Sequence, residues 1–276
     1  MRQVPEKTPQ TLFPPLLLGR GRLARHLHHY FHLIDFPHKH FDHSLRGDWA
    51  AGSDDVLVPE ALAELDRKLL ACPTIWILVS DSAIASVRDQ VVARLRTLGR
   101  DPNEKTFIHS SAATPVGGMR TVHPLMTFGE ELYSREVYER IPLVTFSDEG
   151  APSLSSSSPS SPELPLPTQN PRLTLPASRR ALYHACAVMM SNFPILLWSE
   201  VTRLANRELA ASPSLFDPIL KQTLDNFTRL RERALTGPIV RGDRATIEKN
   251  LAAIEGTPLH SLYHTFLETL SQEAPL

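Results

Sequence analysis

Apolar and polar positions divide the chain into two unlike halves. In the first, short apolar runs alternate with stretches of helical spacing. Leu16-Leu17-Leu18 stops at Gly19, and Thr74-Ile75-Trp76-Ile77-Leu78-Val79 stops at Ser80-Asp81. Thr106-Phe107-Ile108 stops at His109-Ser110-Ser111, and Leu143-Val144-Thr145-Phe146 stops at Ser147. Between them, Glu60 to Leu70 and Ala85 to Leu98 carry leucine and valine at helical spacing. Strands that read as continuous apolar runs, separated by helices, predict a parallel sheet covered on both faces. Pro14-Pro15 shortens the first strand, and the second has little apolar character. In the second half the strand signal disappears. Arg179 to Asn206, Ser214 to Arg233, Arg244 to Ile254 and Leu259 to Leu270 are helical by periodicity. Ser214, Asp217 and Asp243 are the predicted N-caps. The fold expected is α/β plus all-α.

Between Ala151 and Pro176 lie seven prolines and seven serines, including Ser155-Ser156-Ser157-Ser158. So little apolar side chain cannot offset the entropy of ordering, which makes this segment a loop or linker. The predicted organisation is an α/β domain over 1–150, a linker over 151–177 and a helical domain over 178–276.

Composition narrows the class. Lys+Arg 29 against Asp+Glu 30 gives a net charge of -1, which argues against a phosphate-coating nucleic-acid binder. Cys72 and Cys186 are too few for a disulfide framework and suit a reducing compartment. The longest stretch free of charge and histidine, Ala185 to Ser199, has 15 residues, too few to span a bilayer. The expectation is a cytoplasmic protein with no membrane partner.

The strongest local motif is Gly19-Arg20-Gly21-Arg22-Leu23-Ala24, a GxGxxA directly after an apolar run. The first glycine permits a tight turn, the second lets a pyrophosphate approach the backbone, and Ala24 allows close helix–strand packing. The helix that follows offers N–H groups and a positive dipole end to phosphates. An acidic residue about 20 positions on would signal NAD. Asp42 stands there, but His43-Ser44-Leu45-Arg46 follows, and a serine with an arginine fork suits a 2′-phosphate. NADP is the expected cofactor, with NAD as the alternative. Arg20 and Arg22 are further phosphate candidates.

Three groups fall at predicted strand ends, where open α/β sheets bind ligands: Ser80-Asp81-Ser82, His109-Ser110-Ser111 and His123-Pro124. No GxSxG nucleophile elbow is present. His109 or His123 is the expected proton donor to a carbonyl or imine, while Ser80 and Asp81 line the nucleotide and Ser110 the substrate. In the helical half, His184 and Asn192 share a helix face roughly, and His184 is a substrate-binding candidate. The loop Leu235-Thr236-Gly237-Pro238-Ile239-Val240-Arg241-Gly242-Asp243 offers Thr236 and Arg241 to a substrate.

Seven of the twelve histidines fall between His26 and His43: His26, His28, His29, His32, His38, His40 and His43. No cysteine or clear carboxylate set stands among them at ligand spacing. The expectation is a solvated polar helix face with no metal site, although His28 and His32 at i,i+4 could chelate adventitiously.

Six segments run in a familiar order: GRGRLA, VSDSAI at Val79 to Ile84, FIHSSAA at Phe107 to Ala113, HPLMTFG at His123 to Gly129, YHACAVMMSNF at Tyr183 to Phe193 and ALTGPIVRGDRATI at Ala234 to Ile247. With them the chain resembles a bacterial family of Rossmann-like proteins carrying a C-terminal domain of unknown function, number 2520. More distantly it is similar to pyrroline-5-carboxylate reductase and the 6-phosphogluconate dehydrogenase group. The resemblance implies an NADP-binding Rossmann domain and a helical domain that forms a homodimer and closes a substrate site. It departs from the 6-phosphogluconate group in lacking that group's catalytic lysine with an asparagine four residues on, offering His184 and Asn192 instead. It also has Ala112 where the family usually has glycine. The function expected is hydride transfer between nicotinamide and a small C=O or C=N substrate; a non-catalytic nucleotide sensor is the alternative. Asn192 joins His109 and His123 among the catalytic candidates.

Overall fold

The structure, a computed structural model, describes residues 14–43, 57–147 and 168–273. The chain divides into two compact units, Met1–Ala187 and Val188–Leu276.

The first unit begins with β1 (Leu16–Leu18), α1 (Arg22–Leu33), β2 (Lys39–Phe41), α2 (Pro59–Ala71), β3 (Thr74–Ile77), α3 (Ile84–Thr97), β4 (Thr106–His109) and β5 (Arg120–Thr121). These strands form one parallel sheet in the order β2-β1-β3-β4-β5. Alternation along the strands builds two cores. Leu16, Leu18, Ile75, Ile77 and Phe107 face Leu65 and Leu69 of α2 and Val87, Val91 and Leu95 of α3. Leu17, Trp76 and Ile108 face the other way, against Leu27, Tyr30 and Phe31 of α1. Both faces are covered, as the continuous apolar runs require. β1 is short because two prolines precede it, although the Pro15 carbonyl still accepts from Lys39 N–H at 2.9 Å.

Leu143–Ser147 was expected among the parallel strands and belongs instead to a second sheet. This strand, β7, pairs antiparallel with β6 (His123–Pro124) and parallel with β8 (Arg172–Pro176), with α4 (Arg135–Glu139) between β6 and β7. His123-Pro124 is thus a strand itself and not the end of one. β8 corrects the linker reading at 172–176. The sequence there has few apolar residues, but its backbone pairs along all of β7 and most of its side chains stay exposed. Just before β8, Asn170 is buried and joins three elements. Its Nδ2 donates to the carbonyls of Tyr138 (2.6 Å) and Ile141 (2.9 Å), and its Oδ1 accepts from the Tyr30 hydroxyl at 2.8 Å. Asn170→Ala leaves these groups unpaired and is expected to cost about 2–3 kcal/mol, read as a lower urea midpoint. Deleting Ser155–Ser158, which lie outside the described residues, should leave that midpoint nearly unchanged.

The long α5 (Arg180–Leu209) contains Pro194 and crosses the division between the units. The second unit continues with α6 (Asp217–Leu230), α7 (Arg244–Ala253) and α8 (Pro258–Glu273). Asp243 caps α7 as predicted, accepting from Thr246 N–H at 3.1 Å. Ser214 and Asp217 do not cap. Ser212 precedes a 3-10 turn, and Phe216 occupies the α6 cap position without a side-chain hydrogen bond. Asp217 instead opens α6, where its charge meets the positive dipole end.

Candidate functional site

In the parallel sheet β1 carries β2 on one side and β3 on the other, so the strand order reverses there. A cleft of about 460 Å³ opens at this point. Such a switch point is where open α/β sheets bind ligands. Its lining includes Gly19, Arg20, Gly21, Arg22 and Leu23 after β1, Ser80 and Asp81 after β3, and Ser110 and Ser111 after β4. Eight of the predicted contacts therefore converge here. Ala24, the ninth, is fully buried in the core beneath, where a small residue lets α1 sit close to the sheet.

The two glycines have different physical reasons. Gly19 has φ +142, and a Cβ there would lie closer than 3.0 Å to the Leu78 carbonyl oxygen. Protein geometry alone requires glycine at this position. Gly21 has an ordinary φ of -71, and a Cβ there would meet no protein atom within 4 Å. It occupies the α1 cap position, which has no side-chain cap, and the first turn has no acidic residue. The first N–H groups of α1 thus face the cleft mouth as an anion site. His40 steadies this turn by donating from Nε2 to the Gly19 carbonyl at 2.7 Å. Ser44 and Arg46, the predicted 2′-phosphate pair, lie outside the described residues. Their neighbour His43 lines the cleft.

Beside the cleft a buried polar network was only partly foreseen. Ser111 donates from its hydroxyl to Asp81 Oδ2 at 2.7 Å. Arg180, at the start of α5, is buried and donates to the carbonyls of Ser111 and Ala112 and to Thr121 Oγ1. Its guanidinium lies 3.8 Å from the Phe146 ring centre. Arg180 and Thr121 were absent from the predicted site residues, and Ser111 was named only as a member of the strand-end group His109-Ser110-Ser111. An arginine at a helix start looks like a surface residue in sequence, and only the β7 and β8 pairing brings it under the sheet edge.

His109 is fully buried and does not line the cleft. Its Nδ1 accepts from Ser111 N–H at 3.2 Å, so the proton sits on Nε2, which donates to Thr121 Oγ1 at 3.0 Å. Burial, then Arg180, pushes its pKa down to about 4. Both nitrogens of this predicted proton donor are thus engaged within the protein. His123 is better placed. The Tyr183 hydroxyl lies 2.6 Å from its Nδ1. Burial and then His184 hold His123 down to about 4, and burial raises Tyr183 to about 12. At neutral pH Tyr183 therefore donates to Nδ1, and the His123 proton sits on Nε2.

Two buried polar atoms nearby have no hydrogen-bond partner, Ser110 Oγ and His184 Nδ1. Such atoms are uncommon in folded proteins, and here both belong to predicted substrate contacts. Asn192, Thr236 and Arg241 lie in the second unit, each exposed.

Neutral buried histidines make folding acid-sensitive. An unfolded imidazole binds its proton near pH 6.5, whereas folded His109 and His123 wait until about 4. Below 6.5 the unfolded chain binds more protons, so stability falls as pH drops from 6.5 towards 4. His26, His28 and His38, also lowered by burial, act in the same direction. The expected limiting slope for a fully buried imidazole is about 1.4 kcal/mol per pH unit. Urea midpoints should be level from pH 8 to 7 and fall steadily to pH 4.5. A level midpoint down to pH 5 would contradict it.

Sheet, switch-point cleft and glycine turn define a Rossmann-like fold followed by a helical region. Residues 167–270, C-terminal to the parallel sheet, match the family described as Domain of unknown function (DUF2520). No curated protein matches. Among solved structures, a Bacteroides fragilis protein assigned as an NADP oxidoreductase is similar at TM-score 0.66 and 17% identity, over 94% of this chain and 98% of that one. A Thermotoga maritima protein is similar at 0.63 and 18%, over 94% and 97%. Plasmodium falciparum pyrroline carboxylate reductase, solved with NADP bound, is similar at 0.50 and 10%, over 95% and 96%. At these identities the likeness is one of fold.

Proposed function

We propose that the chain is an NADP(H)-dependent oxidoreductase acting on a small C=O or C=N substrate, with NAD(H) as the alternative nucleotide. The observation that carries this reading is Gly21: a glycine that no protein atom requires, at an uncapped helix start, inside the switch-point cleft. A bound pyrophosphate supplies the missing reason. The backbone at Gly19, Gly21 and Leu23 would hold it, with Arg20 and Arg22 beside it and Ser80 and Asp81 along the nucleotide. Ser44 and Arg46 are assigned the 2′-phosphate. The NADP in the names of the Bacteroides and Plasmodium structures supports the choice of nucleotide.

When bound, the nicotinamide supplies or accepts the hydride; the protein orients and polarises. His123, held neutral, donates a hydrogen bond from Nε2 to the substrate oxygen or nitrogen while Tyr183 fixes its tautomer. Ser110 and His184 offer their orphan polar atoms to the same substrate. Asn192, Thr236 and Arg241 are assigned to substrate through the segments that carry the family resemblance. The protein is read as cytoplasmic and as a homodimer.

The test is a titration of NADPH and NADH followed by Trp76 fluorescence, then a screen of small keto acids and imines for NADPH oxidation. Micromolar NADPH binding with turnover is expected, and Arg46→Ala should weaken NADPH much more than NADH. Binding without turnover on any substrate would favour the sensor reading, to which the missing lysine already points. No binding of either nucleotide would overturn both.

A further inference from the structure

Three imidazoles, two from α1 and one from the loop that follows it, meet at the edge of the parallel sheet. His28 and His32 stand one turn apart on the same face of α1. His38 closes on them from the approach to β2. Each offers one ring nitrogen, and the three atoms lie within 4.8 Å of one another. Ring centroids are 4.5 Å apart for His28–His32, 4.9 Å for His28–His38 and 4.9 Å for His32–His38, all edge-on. This is not the solvated helix face that the spacing predicts, since such a face splays its side chains into water.

The tautomers give the cluster a direction. His38 donates from Nδ1 to the Phe36 carbonyl at 2.9 Å, which leaves the Nε2 lone pair aimed inward, 2.8 Å from His28 Nδ1. A carbonyl behind one ring nitrogen is the support that orients metal-binding imidazoles. His40 donates from Nε2 to Gly19 and stands outside the group of three whose ring nitrogens meet.

We propose that His28, His32 and His38 bind one divalent cation of the zinc class through three imidazole nitrogens, with water completing the coordination. Imidazole donors suit zinc, copper and nickel, whereas magnesium and calcium take oxygen. Zinc–nitrogen bonds of about 2.0–2.1 Å set tetrahedral nitrogens roughly 3.3 Å apart. The His28–His38 pair opens by about half an ångström to reach that spacing, and His32 swings in. His32 is exposed, so its ring has the room. The ion would fasten the second half of α1 to β2, a strand held in its sheet by β1 alone.

The test uses untagged full-length protein stripped with EDTA, titrated calorimetrically with zinc sulfate and melted with and without zinc. One equivalent should bind with a low-micromolar or tighter Kd, and the melting temperature should rise. Cobalt(II) should give the visible absorption of a tetrahedral or five-coordinate site. His32→Ala, at an exposed position, should fold normally, bind zinc at least tenfold more weakly and lose the thermal shift; His38→Ala should do the same. His29→Ala, whose ring faces Tyr138, should match the parent. The proposal is overturned if His32→Ala and His38→Ala bind as the parent does, if His29→Ala loses as much as they do, or if the parent binds only above about 100 µM.

Discussion

Gly19→Ala is expected to yield little folded protein, whereas Gly21→Ala should melt near the parent and lose at least tenfold in NADPH affinity. At Gly19 a methyl group would collide with the Leu78 carbonyl, a backbone atom just past β3 whose residue is anchored by its N–H on the Leu18 carbonyl. The conformation itself, φ +142, is also one that side chains rarely adopt. Overlap and strain add to at least about 4 kcal/mol, a large part of a domain's stability. At Gly21 the added methyl meets nothing in the protein, so the folding cost is limited to the roughly 0.5–1 kcal/mol by which alanine is a poorer helix cap than glycine. The cost falls on whatever approaches that backbone. Urea denaturation paired with a nucleotide titration separates the two effects. Should Gly21→Ala bind NADPH as the parent does, the pyrophosphate does not lie on this turn.

How much of this was legible in the sequence depends on whether a feature is local. The glycine turn, β1, β3, β4 and the helices α2, α3 and α7 follow from short-range pattern: an apolar run, a breaker, a cap such as Asp243. What failed depends on pairing between distant segments. Leu143 to Phe146 looks like any other parallel strand, and its membership of a second sheet is decided by β6 and β8. Arg172 to Pro176 sits in a proline-rich stretch and offers only Leu173 and Leu175 as apolar signal, because a largely exposed strand needs little beyond backbone partners. The same pairing draws Arg180 under the sheet edge, while the turn after β4 and the neighbouring β5 give His109 its two internal hydrogen bonds. The histidines illustrate the limit most sharply. The i,i+4 relation of His28 and His32 is visible in the sequence, but the third ring comes from a loop whose path no local rule sets.

Light scattering at micromolar concentration should report a dimer, about twice the chain mass of 30.8 kDa. Of the described residues in the second unit, Ala205 and Leu259 alone are buried. Met189, Met190, Phe193, Ile195 and Leu196 of α5 are all more than half exposed, as are Ile219 and Leu224 of α6. Helices this apolar need a covering surface. The segment Ala177–Leu209 has the length and apolar composition of a membrane span, with mean hydropathy 1.3. Its first turns, however, are committed to protein: Arg180 donates to the Ser111 and Ala112 carbonyls and Tyr183 to His123. From Val188 the uncharged stretch ends at Ser199, before Glu200 and Arg203. Twelve helical residues cover about 18 Å, well short of the roughly 30 Å hydrocarbon core. The expected cover is a second copy of the chain, since two-fold dimers are the commonest soluble assembly. Phe193→Glu combined with Leu196→Glu places four charges in the paired interface and should return the particle to 30.8 kDa, with melting that no longer rises with protein concentration. A parent protein that stays at 30.8 kDa at micromolar concentration, with NADPH added or withheld, would rule the dimer out.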